Sequence, residues 1–135
     1  MQNLIYALIQ VIHNFGAATV VGSATAAIWL AHGNAGVRHR LSSLMASAWA
    51  IQAASGVMFG ATTYYFEKSL PDIHGVAVDA LLVKTACAAA GFVLAIVFIR
   101  HGRDWSSAKQ LLALRALLAL GAIALASAAF LRWFS

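Results

Sequence analysis

Charge is scarce in this sequence. Of 135 residues, nine are Lys or Arg and four are Asp or Glu, while 62% are hydrophobic. With a mean hydropathy of +0.82, the chain is too apolar for an ordinary water-soluble domain. Cysteine is scarcer still. Cys87 is the only one, which excludes an internal disulfide and a thiolate metal cluster; within an apolar run it reads as a packing residue. There are three methionines, the initiator among them, so no thioether string is available to a soft metal ion. No nucleophile paired with a base, phosphate-cradling glycine loop or pair of intramembrane carboxylates is present, and a hydrolytic enzyme is not expected.

The chain does contain four long apolar runs. Leu4–Ala31, Leu41–Phe66, Val76–Ile99 and Leu111–Leu131 each have the length of about 20 residues that a helix needs to cross hydrocarbon. They are too long, and lack the alternation, for barrel strands. The expected fold is an all-α integral membrane four-helix bundle, with residues 1–135 as a single transmembrane domain. The first run is longer than a signal-peptide core and has no basic region before it, so it is expected to persist as a helix. Breaks fall at His32-Gly33-Asn34 and at Glu67-Lys68-Ser69-Leu70-Pro71-Asp72, where the only proline and a set of charges interrupt helix and hydropathy together.

The net charge of +5 reads as a topology signal, because the basic residues lie in the gaps and no aromatic residues interleave with them as in a nucleic-acid surface. Arg38 and Arg40 follow the first span, and Arg100, Arg103 and Lys109 follow the third. The opposite side has Lys68 and Arg132, offset by Glu67, Asp72 and Asp79. This bias predicts an N-out, C-out protein, with both termini on the non-cytoplasmic side, which is periplasmic in a bacterial inner membrane. Trp29, Trp105, Trp133, Tyr64 and Tyr65 fall near span ends, as interfacial anchors do. His32, His39 and His101 read as interface residues, and Arg115 as a snorkelling anchor. Helix contacts are expected where small residues recur: Gly56 and Gly60, Ala18, Gly22 and Ala26, and Gly91 with Ala95, chiefly as packing within the bundle.

A few polar residues lie where hydrocarbon disfavours them. Lys84 needs a partner or water, and Asp79, about one and a half turns earlier, is the expected one. His13, Met58 and Lys84 share an estimated depth of about 12 to 14 Å below the outer helix ends. His13 and Met58 are therefore candidate ligands for a metal or haem, with His74 a third if its loop folds inward. Asn14 and Gln52 are candidate interhelical hydrogen-bond partners. Glu67, Asp72 and His74 form an outer-loop cluster of oxygen and imidazole donors.

The first span, IHNFGAATVVGSA, sets a histidine directly before a small-residue face. Arg40-Leu41-Ser42 leads into a second span with Ser55-Gly56-Val57, and Leu81-Leu82-Val83-Lys84 opens the third. In these stretches, in this order, the chain resembles the copper resistance D (CopD) family of membrane domains. The resemblance implies a bacterial inner-membrane protein that binds or relays copper near its periplasmic face beside a periplasmic copper protein. Two other readings compete: a small b-type cytochrome or quinone-site subunit of a redox complex, since four-helix bundles hold haem b between facing helices, and a structural accessory subunit of a larger membrane assembly. The partners expected are the lipid bilayer and, with these readings, a periplasmic copper protein or a larger membrane complex, with no nucleic acid, and no catalytic activity of the chain's own is expected.

Overall fold

A computed structural model describes residues 1–31, 33–68 and 73–134. Four helices follow one another, α1 (Gln2–Trp29), α2 (Ala35–Glu67), α3 (Val76–His101) and α4 (Ser107–Phe134), with a short 3-10 turn at Gly102–Asp104 before α4. No strand occurs among the described residues. Each helix is long and apolar enough to cross a membrane, so the expected all-α four-helix membrane bundle is the architecture observed. The helices form an up-and-down ring. α1 packs on α2 and α4, α3 packs on α2 and α4, and α1 and α3 face each other across one diagonal, α2 and α4 across the other.

Two helices begin a full turn or more before their apolar runs. α2 starts at Ala35 and α4 at Ser107, ahead of Leu41 and Leu111, because hydropathy marks where hydrocarbon begins and not where backbone hydrogen bonding does. Asn34 caps α2, its side chain accepting from the Val37 N–H at 3.0 Å. At the far end Lys68 takes a left-handed conformation (φ 56°) and returns its N–H to the Tyr64 carbonyl, a common helix stop.

The packed apolar core lies toward the end that carries the α1–α2 and α3–α4 connections, termed here the loop end. Val20, Ala24, Met45, Trp49, Phe98, Leu114 and Leu117 interdigitate there. Small residues bring the backbones together. A Cβ on Gly91 would stand 2.5 Å from the Trp49 ring, and one on Gly121 3.1 Å from Val20, so each glycine is the slot for a larger side chain on the neighbouring helix. Gly56, Gly60 and Gly22 do not pack in this way. A Cβ at any of them would meet nothing within 4 Å, which corrects the expectation that they are bundle contacts: Gly22 and Gly56 are exposed and Gly60 half-buried, and spacing alone does not reveal which way a small-residue face turns.

Large apolar side chains including Leu8, Phe15, Val57, Leu82 and Leu112 are exposed around the ring, a surface suited to acyl chains. Trp29, Trp133, Tyr64 and Tyr65 are exposed near helix ends. Trp105 packs edge-on against Phe98, with the Lys109 ammonium 4.4 Å from its ring centroid.

Candidate functional site

Toward the end that carries both termini and the α2–α3 connection, polar groups enter the bundle interior. His13, Gln52 and Ser55 are buried there and Lys84 is half-buried, about 12 to 23 Å along their helices from the ends on that side. The His13 Nδ1 lies 2.7 Å from the Ser55 Oγ. That hydroxyl already donates to the Ile51 carbonyl at 2.7 Å, so its oxygen accepts and Nδ1 carries the proton. This assignment leaves the Nε2 lone pair facing the Lys84 ammonium, 3.0 Å away. The contact crosses the α1–α3 diagonal.

The imidazole is held on further sides. Gln52 donates its side-chain amide to the His13 carbonyl, and Gly16 makes room for it, since a Cβ there would come within 2.8 Å of the amide nitrogen. Phe59 packs edge-on against the ring at 5.8 Å and stacks with Tyr6 at 6.3 Å. The Tyr6 hydroxyl donates to Thr63 at 2.9 Å, closing the α1–α2 contact toward the end that carries the termini. Tyr6, Phe59 and Thr63 were not among the sequence candidates. A signal existed: Gln52, Ser55, Phe59 and Thr63 recur at three- and four-residue spacing on α2, as Tyr6 and His13 do over two turns of α1, which marks one facing pair of stripes.

No protein-family model, curated protein or solved structure matches this chain. The site therefore stands on its own geometry.

The remaining candidates lie apart. The Lys84 ammonium meets His13 in place of the expected Asp79, which is exposed in the first turn of α3; a lysine stem pointing into the bundle reaches the facing helix more directly than it can turn back along its own. Met58 shares the estimated depth but is 50% exposed on the outer face of α2, because it sits beside the inward stripe of Ser55 and Phe59. Asn14 is exposed and accepts from Gln10 one turn earlier at 2.7 Å, so of the two amides only Gln52 bridges helices here. His74 and Glu67 are exposed, and Asp72 falls outside the described residues. Among the described residues no group of three or more His, Cys, Asp or Glu side chains converges to hold a metal. The chemistry available at the centre is thus one oriented imidazole nitrogen whose partner is the ammonium group of a long side chain.

Proposed function

We propose that this chain is a CopD-like module of the bacterial inner membrane that takes copper onto the His13 Nε2 from the periplasmic side. One observation carries the reading: the two ring nitrogens are differentiated, Nδ1–H being fixed by Ser55 while Nε2 presents its lone pair to Lys84. Metal-binding histidines have this arrangement, with the second nitrogen anchored so that the first is aimed. The Lys84 ammonium occupies the direction a cation would take. Cuprous copper arriving at Nε2 replaces one positive charge by another, and the flexible lysine stem lets the ammonium withdraw. Membrane-embedded ionisable residues mark ion pathways, and the N-out, C-out orientation brings this end to the periplasm, where a copper-carrying partner would meet it.

The haem reading draws less support, since neither Met58 nor His74 faces His13 as a second axial ligand. The same experiment separates the readings. Purified protein titrated with Cu(I) against a chromophoric chelator is expected to bind it, His13→Ala to lose that binding and His101→Ala to retain it. Lys84→Met is expected to bind at least as tightly as the unaltered chain. A His13-dependent Soret band in the purified protein would replace copper with haem b. Equal copper binding by His13→Ala would refute the site, and an absence of both copper and haem would leave an accessory role in a larger assembly.

A further inference from the structure

At the loop end, opposite the His13 site, a cavity of about 220 Å³ opens between α2, the 3-10 turn and the start of α4, lined by Ala35, Arg38, His39, Phe98, Gly102, Arg103 and Gln110. Among the described residues no acidic side chain lines it. Two guanidinium groups and an imidazole therefore share one pocket with no carboxylate to balance them, at the level where the apolar spans give way to loops.

Arg38 is the fixed element. Its Nη1 donates to the Gln110 Oε1 at 2.8 Å, and the Gln110 amide is itself locked by donating to the carbonyls of Gly102 (2.8 Å) and Trp105 (3.1 Å). The amide oxygen is thereby committed to the arginine. The Arg38 Nε is buried without a hydrogen-bond partner, and a buried donor is costly to leave unmet. Held through Nη1, the Arg38 guanidinium lines the cavity, and a guanidinium suits a tetrahedral oxyanion, to which it can donate N–H bonds. Arg103 is exposed at the rim, free to close on a second oxygen.

We propose that this pocket binds the phosphate group of an anionic phospholipid in the leaflet at the loop end. The position favours a lipid over a free anion: basic pockets between membrane helices at the headgroup level are suited to acidic lipids, and Phe98 gives the cavity an apolar wall for the adjoining glycerol and acyl segments.

The test uses the full chain in nanodiscs of phosphatidylcholine with or without phosphatidylglycerol, read by thermal unfolding through tryptophan fluorescence and by lipid adducts in native mass spectrometry. Phosphatidylglycerol is expected to raise the unfolding temperature and remain as an adduct. Arg38→Gln and Arg103→Gln should each weaken retention roughly tenfold, the worth of one charge-assisted hydrogen-bonding group, and Arg132→Gln at the other end should not. If Arg38→Gln fails to accumulate, the exposed Arg103→Gln carries the test alone. Inorganic phosphate added to protein in neutral nanodiscs is expected to give no shift. A phosphate shift of the same size, abolished by Arg103→Gln, would overturn the lipid as the source. Undiminished phosphatidylglycerol retention in Arg103→Gln, or an equal loss in Arg132→Gln, would overturn the site.

Discussion

Lys84 and His13 each solve a problem the other creates. An ammonium group in hydrocarbon lacks an acceptor, and a neutral imidazole buried at 8% exposure needs a donor for its bare nitrogen. Removing one partner should therefore cost more than removing both. His13→Ala is expected to destabilise the bundle by about 1–3 kcal/mol, because it leaves the lysine unsatisfied. His13→Ala with Lys84→Met should recover part of that loss. A double-mutant cycle read by unfolding in detergent measures the coupling, and strictly additive losses would show that the contact contributes nothing. That these two residues are costly in a membrane was legible from the sequence, since charge and imidazole inside an apolar run stand out. Their pairing was not. A single sequence gives depth from residue counts but no helix rotation, so Met58 at the same depth looked as good a neighbour as Lys84, and Asp79, closer along the chain, looked better.

At the scale of the helices, the four spans were plain because hydrocarbon thickness imposes both a length and a composition. Their polar extensions were not, since Arg38, His39 and Arg40 lie inside α2 and yet read as loop residues by hydropathy. The consequence is that basic residues assigned only to topology, Arg38 above all, stand on regular backbone that can aim them. The glycine pattern shows the same limit: Gly91 is packed against Trp49 while a Cβ on Gly56 or Gly60 would meet nothing within 4 Å, although both series have helical spacing. The orientation rests on the two basic connections and is open to a direct measurement. Cysteines introduced at Asn34 and Ser106 should resist a membrane-impermeant thiol reagent in intact cells, one introduced at Ser69 should react, and the native Cys87, being buried, should stay silent. The opposite labelling pattern would invert the protein and place the His13 end in the cytoplasm.

The molecule as a whole is two hairpins, α1 with α2 and α3 with α4. Apolar attraction between helices is absent in lipid, so the way one hairpin sits against the other depends on close packing and on polar contacts. Two such contacts run along opposite diagonals at opposite ends, Lys84 to His13 between α3 and α1, and Arg38 to Gln110 between α2 and α4. Together they act as crossed braces. With the packing of Trp49 on Gly91 and of Val20 on Gly121 between them, they tie the hairpins together at both ends. Each hairpin also has an internal interface of its own, so the connection between them is dispensable in principle for assembly. Residues 1–70 and 71–135, expressed as separate chains, are expected to co-purify as a complex, and the combination of Lys84→Met with Gln110→Ala to reduce recovery well beyond either change alone. Equal recovery from all four versions would mean that the braces carry no share of the docking. Such crossed bracing would also make each end of the bundle a sensor of the other: a cation that dislodges Lys84, or an anion that draws Arg38 from Gln110, loosens one of these two struts and shifts the strain of holding the hairpins in register onto the far side of the membrane.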